Sequence, residues 1–181
     1  MSHSTSRRLF LAKSALATTG LALLSSNTLT AFSTDTPFEG YNSFAEEKTD
    51  LRTELLGKEA KVSGKIFSKE GLLPIAGALI EVWHLSPNSK KFRHRAKFRT
   101  NQFGEYSFVT DFPEQDGNLC PRIYFKVSNN EKSTFSELLI NKQGSFITSK
   151  HWEQHSQLGD KLEPEFSKAF NRLNVTFNLS L

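Results

Sequence analysis

Pro121-Arg122-Ile123-Tyr124-Phe125-Lys126-Val127 is the stretch whose reading decides the fold of this chain. Apolar and polar residues alternate along it. Ile123, Phe125 and Val127 fall on one face of an extended segment, and Arg122, Tyr124 and Lys126 on the other. A strand with one apolar face needs a sheet around it and a second layer to cover that face. The neighbouring sequence supplies both. Residues 61–67 alternate before a turn at Ser68-Lys69-Glu70-Gly71, and residues 78–83 form a second strand entered through Pro74 and Gly77. Asn101-Gln102-Phe103-Gly104 turns the chain into a third strand at 105–109, and residues 136–140 and 174–179 add two more. Short strands at this spacing predict an all-β antiparallel β-sandwich. The polar stretch 148–171 reads as a short helix or a long loop.

Composition agrees with one such domain plus appendages. Sixteen phenylalanines against ten glycines in 181 residues favour an aromatic-rich β core over a disordered chain. At the N-terminus, Ser6-Arg7-Arg8-Leu9-Phe10-Leu11 precedes an apolar run at 15–24 and small polar residues, the order of a signal peptide. The arginine pair followed by Leu-Phe-Leu resembles a twin-arginine export signal. The expected organisation is a leader at 1–31, a polar linker or arm at 32–49 and the β-sandwich at 50–181, in a protein exported to the periplasm or beyond with no membrane span in its mature chain. Removing Arg7, Arg8 and Lys13 with the leader takes the net charge from +4 to +1, which with export argues against a nucleic-acid partner. Cys120 is the only cysteine, so no intramolecular disulfide and no thiolate-rich zinc site can form; a buried structural thiol is the expectation.

The order of landmarks from about residue 50 onward resembles the catalytic domain of intradiol ring-cleavage dioxygenases. Leu51-Arg52 matches the family's entry motif. Leu73-Pro74-Ile75-Ala76-Gly77-Ala78-Leu79-Ile80-Glu81-Val82-Trp83-His84 is similar to its Pro-Ile-x-Gly-Ala-x-Val-Glu-x-Trp-His, and Thr100-Asn101-Gln102-Phe103-Gly104-Glu105-Tyr106-Ser107-Phe108 to its Thr-Asp-x-x-Gly-x-Tyr-x-Phe. The strand at 121–127 stands where the family has His-Ile-His-Phe-Lys-Val, and Phe135-Ser136-Glu137-Leu138 stands near its Thr-Gln-Leu. The resemblance implies a β-sandwich that once held Fe(III) with two tyrosinates and two histidines, where hard phenolate donors stabilise the ferric state and catechol is activated for attack by O₂.

Carried over position by position, the resemblance places those ligands on a poor set, in which only Asp116 and Tyr124 could each offer an oxygen. The first tyrosine falls on Lys91 or Phe92, the second on Asp116, and the two histidines on Arg122 and Tyr124; the family's cation falls near Leu119. A permanent guanidinium beside a metal is repelled by it. The expectation is therefore no cofactor, with Fe(III) only if the ligand set has moved, and no assigned catalytic residue. The leading reading is a ligand- or partner-binding protein that is not an active ferric catechol dioxygenase. The alternatives are a dioxygenase with rearranged ligands, or a cell-envelope or carbohydrate-binding module. Partners would be a small molecule, an envelope polymer, a second copy or a companion subunit.

Two other constellations carry chemistry. Lys90-Lys91-Phe92-Arg93-His94-Arg95-Ala96-Lys97-Phe98-Arg99 is the densest charge run; Lys90, Lys91, Arg93 and Arg95, with Arg122, are candidates for an anion-binding mouth, set against a solvated loop with its phenylalanines turned inward. His151 and His155 lie at i and i+4, where one helix face would carry both imidazoles; a solvated polar loop is the plainer reading. His84 and His94 are further metal-ligand alternatives, with a hydrogen-bonded structural role the expectation for His84.

Overall fold

The computed structural model describes residues 38–54 and 56–181; the expected leader at 1–31 lies outside them. Two five-stranded sheets face each other. In the first, β1 (Glu59–Phe67) pairs antiparallel with β4 (Glu105–Asp111) and parallel with β9 (Arg172–Thr176), and β8 (Glu165–Ala169) flanks β9. The last strand, β10 (Leu179–Ser180), also runs parallel to β1, so a sandwich that reads as antiparallel carries two parallel pairings beside β1. The second sheet has the order β3 (His94–Arg99), β2 (Leu79–His84), β5 (Arg122–Ser128), β6 (Ser133–Ile140), β7 (Ser145–Ile147), antiparallel throughout.

The inward residues are those the alternation marks. Ile123, Phe125 and Val127 of β5 are fully buried and meet Val62, Ile66, Phe108 and Val175 from the opposite sheet in one core. Phe125 sits 5.2 Å from Phe177 and 6.1 Å from Phe108, ring centre to ring centre. Burying each such ring contributes about 2–3 kcal/mol. Tyr106 adds a polar tie, its hydroxyl donating to the Phe177 carbonyl at 2.6 Å. The strands pass so closely there that a Cβ on Gly64 would fall 1.8 Å from that same carbonyl oxygen.

Three elements were not evident in the sequence reading. Residues 94–99 of the charge run form β3 and not a loop: His94, Ala96 and Phe98 point in, and Arg95, Lys97 and Arg99 point out. The stretch 148–171 holds β8 as well as a helix, α1 (Ser149–His155), which Thr148 caps by accepting the His151 amide at 3.2 Å and which continues into a 3₁₀ turn (Ser156–Lys161). Short β7 closes the second sheet.

Residues 38–51 lace the two sheets together. The Lys97 amide donates to the Glu46 carbonyl at 2.9 Å and the Lys48 amide to the Lys97 carbonyl at 3.2 Å, along β3. Farther on, the Val109 amide donates to Thr49 and the Leu51 amide to the Val109 carbonyl, along β4. The arm thus occupies an exposed edge of each sheet. No helix among the described residues is long and apolar enough to cross a membrane.

Candidate functional site

The outward face of the second sheet gathers the positions that the resemblance marks. Strand register sets Trp83 of β2 opposite Tyr124 of β5, Glu81 opposite Lys126, and Tyr124 opposite Glu137 of β6. Trp83 and Glu81 are nonetheless buried, because residues 38–41 of the arm lie over them. Phe38 stacks on Tyr124 with ring centres 4.8 Å apart, and Trp83 stacks on the same phenol at 5.6 Å. Tyr41 meets Trp83 edge-on at 5.3 Å, and the indole Nε1–H donates to the Glu39 carbonyl at 2.9 Å. Phe92 approaches Tyr124 to 6.2 Å. Gly40 makes the passage over Phe92 possible: its φ is +81°, and a Cβ there would lie 2.2 Å from the Phe92 ring.

Polar groups tie the rim of this aromatic cluster. Lys126 Nζ donates to the Tyr41 hydroxyl at 2.7 Å and lies 3.2 Å from Glu81 Oε2, while Tyr41 donates to Glu81 Oε1 at 3.1 Å. The ammonium also sits 4.8 Å above the Tyr41 ring. Burial raises the Tyr41 pKa, and the Glu81 charge adds to the rise against the opposing pull of Lys126. Burial tends to lower Lys126, but its bond to Tyr41 and the Glu81 carboxylate outweigh this and hold it protonated.

Arg122 donates through Nη1 to Glu137 Oε2 at 2.7 Å and through Nε to the Cys120 carbonyl at 3.3 Å, so its charge is committed to a partly buried pair. Tyr124 is raised above an ordinary phenol, chiefly by burial; Arg122 opposes the rise, and the charges of Glu137, Asp116 and Glu39 support it. The structure thus draws Phe92, Asp116, Arg122 and Tyr124 into one neighbourhood, with Asp116 exposed on the loop before β5. Two of these residues offer no donor that ferric iron takes, whereas the Asp116 carboxylate and the Tyr124 phenol each carry an oxygen. One is a hydrocarbon ring, one a paired guanidinium, and the phenol is kept in its protonated form beneath a stacked phenylalanine. Leu119, at the place of the family's cation, is half exposed, and Cys120 donates its thiol to the Ile140 carbonyl at 3.6 Å.

The remaining predicted positions lie elsewhere. Lys90, Lys91 and Arg93 are exposed near the turn between β2 and β3 and form no ion pair among the described residues, while half-buried Arg95 donates to the Phe92 carbonyl. His84 and His94 are buried, stacked with ring centres 4.8 Å apart. His84 donates from Nδ1 to the Leu85 carbonyl at 2.9 Å and accepts from Thr110 at Nε2. His94 bridges Ser86 Oγ at 2.7 Å and Asp111 Oδ2 at 2.8 Å, and Asp111 Oδ2 also accepts from the Thr53 amide and hydroxyl. This Ser-His-Asp line is interior, all three residues being buried, and ties the turn after β2 to β3, β4 and Thr53. His151 and His155 lie on the inner face of α1 and are buried too, so the solvated-loop reading of that pair is overturned by the helical spacing that aims both rings at the core. Sequence reasoning missed Phe38, Tyr41, Phe135 and Lys126 as partners of the site; only the outward alternation of Lys126 with Tyr124 signalled one of them.

Solved structures similar to this chain include intradiol ring-cleavage dioxygenases. The dioxygenase domain of a dioxygenase–carbohydrate-binding protein fusion from Streptomyces sp. SirexAA-E superposes with a TM-score of 0.60 at 18% identity, over 80% of this chain and 94% of that one. An intradiol ring-cleavage dioxygenase from Tetranychus urticae gives 0.58 at 15% identity, over 80% and 90%. 3-Chlorocatechol 1,2-dioxygenase from Rhodococcus opacus 1CP gives 0.55 at 13%, over 76% and 67%. No protein-family model matches the chain, and no curated protein matches it by sequence. The fold is therefore the intradiol dioxygenase β-sandwich, as the landmarks implied.

Proposed function

We propose that this protein is an exported binding protein built on the intradiol dioxygenase fold, without the ferric chemistry of that fold. The observation that carries this is the stack of Phe38 on Tyr124 at 4.8 Å, where the resemblance would set an iron-binding histidine, together with the commitment of Arg122 to Glu137. An aromatic cluster covered by the chain's own arm stabilises the sandwich and sets the Phe38 ring over Tyr124, where a catechol would have to enter. The functional surface is then the exposed turn between β2 and β3, where Lys90, Lys91 and Arg93 form no ion pair among the described residues and fit an anionic small molecule or envelope polymer. Arg95 and Arg122 act as structural cations, held by the Phe92 carbonyl and by Glu137 respectively. The Ser6–Leu11 stretch and the apolar run after it support export.

The test pairs two assays on the purified protein. Oxygen uptake with a panel of catechols should stay at background. Cosedimentation with anionic envelope polymers should fall with added salt and with the triple change Lys90→Ala, Lys91→Ala, Arg93→Ala. Ring cleavage coupled to oxygen uptake would replace this reading with that of a dioxygenase with rearranged ligands.

A further inference from the structure

We propose that β8 is a docking edge for a second copy of this chain, pairing antiparallel with its own counterpart about a two-fold axis at Ser167. The proposal is independent of the anion-binding turn, which belongs to the other sheet. The chain covers two of its sheet edges itself, the arm lying along β3 and along β4. β8 ends the order β10-β1-β9-β8 and has no strand beyond it among the described residues. All of its residues, Glu165 to Ala169, are exposed. The ladder fixes where its free polar groups point. The Glu59 amide donates to the Asn171 carbonyl and the Phe177 amide to the Ser63 carbonyl, so Arg172, Asn174 and Thr176 are the residues of β9 that turn toward β8. Their partners Ala169, Ser167 and Glu165 are thereby satisfied, and the amides and carbonyls of Phe166 and Lys168 point to the open side. The turn between β6 and β7 holds both side chains in place. The Phe166 ring lies over Gly144, where a Cβ would stand 2.3 Å from it, and Lys168 Nζ donates to the Lys142 carbonyl at 2.7 Å.

The sequence of β8 selects both the partner and the register. A two-fold axis normal to the sheet has to pass through a residue pair, because any register in between would set an inward side chain against an outward one. Centred on Ser167, the pairing joins the Phe166 amide and carbonyl to those of the partner's Lys168, and the reverse. On the inward face each Phe166 ring then lies opposite the partner's Lys168, an aromatic face against an ammonium. On the outward face Glu165 meets the partner's Ala169, and the two central serines face each other. Centring on Lys168 would instead oppose two ammoniums. Centring on Phe166 would carry Phe170 past the partner's strand. With Ser167 at the centre, Phe170 falls opposite the partner's Pro164, which gives a reason for its position. Phe170 is fully exposed and holds φ at +45° in the turn Phe170-Asn171, a conformation that Asn or Gly takes more readily. A bulky apolar side chain kept in that conformation gains no burial from its own chain, and a second copy supplies the surface it lacks.

The experiment uses the purified protein carrying Cys120→Ser, which removes the one thiol. Sedimentation velocity across a wide concentration range should show a reversible monomer–dimer equilibrium in the roughly micromolar range, the strength of a small interface. Lys168→Pro removes an outward amide without touching a bond to β9, and should weaken the dimer by ~10-fold or more. Should that variant fold poorly, a cysteine at the axis answers separately. In an antiparallel pair without mutual hydrogen bonds the Cα atoms are about 4.5 Å apart, inside the disulfide range, so Ser167→Cys should oxidise to a covalent dimer. Glu165→Cys, displaced about 13 Å along the strand from its counterpart, should cross-link far more slowly. A monomer at every concentration overturns the proposal. So does a dimer that a folded Lys168→Pro leaves unchanged, or one in which Ser167→Cys cross-links no faster than Glu165→Cys.

Discussion

His84 makes the chain acid-sensitive in a way that can be worked from its surroundings. The imidazole is fully buried, accepts from Thr110 at 2.6 Å and donates to Leu85, and faces the stacked ring of His94. Burial above all lowers its pKa from 6.5 to about 3; the Leu85 carbonyl and the Asp111 charge oppose this, and His94 reinforces it. Unfolding therefore takes up a proton at any pH between about 3 and 6.5, so stability falls as pH falls through that window. The slope from this one residue is about 1.4 kcal/mol per pH unit, and the loss between pH 7.5 and 5 is about 2 kcal/mol. His84→Gln keeps one donor and one acceptor but cannot titrate. Urea unfolding of both proteins at pH 7.5, 6 and 5 gives the difference, from which the other buried histidines cancel. The variant should start about 1–2 kcal/mol less stable at pH 7.5, and because only the parent loses the further ~2 kcal/mol, the deficit should close or reverse by pH 5. A deficit that stays constant across the range would refute a neutral, desolvated His84.

Three further outcomes follow from the same contacts. Arg122→Ala should cost about 2 kcal/mol by leaving Glu137 partly buried and unpaired, and the double change with Glu137→Ala should cost less than the single one; a thermal or urea double-mutant cycle reads the coupling. Phe38→Ala should cost about 1–2 kcal/mol and bring the Tyr124 phenol down toward its ordinary value, since burial is the chief cause of its rise; ultraviolet titration against a Tyr124→Phe blank measures this. Gly64→Ala should destabilise by roughly 3 kcal/mol or more, because its methyl would enter the Phe177 carbonyl, and the variant should lose most of its soluble yield.

What the sequence disclosed follows from period and order. The alternation of 122–127 and the Pro-Gly-Ala approach to 78–83 were enough to place β5 and β2, because a half-buried strand imposes a period of two. The same period was present in His94-Arg95-Ala96-Lys97-Phe98-Arg99, but the charges on its outer face masked it as a loop. β8 gave no signal at all: its five residues are all exposed, so no burial had shaped the sequence there. For the site, the replaced positions could be read one by one, but not what stands over them. The contacts of Phe38 and Tyr41 with Tyr124 and Trp83 span more than forty residues and leave no local pattern. The partner of Arg122 was hidden likewise, since Glu137 becomes its neighbour only through the pairing of β5 with β6. His151 and His155 displayed their spacing openly, yet only the seating of α1 between Ser136 and Ser180 shows that both rings are interior.

The central claim of the proposed function is that the positions the resemblance matches to an iron centre hold no iron. The most direct measurement is to fold the full chain in the presence of Fe(III), remove loosely bound metal, and determine iron per chain together with the visible spectrum. The account predicts iron well below one per chain and no phenolate-to-iron charge-transfer band, with Tyr124→Phe indistinguishable from the parent. One iron per chain with such a band, lost in Tyr124→Phe, would contradict it.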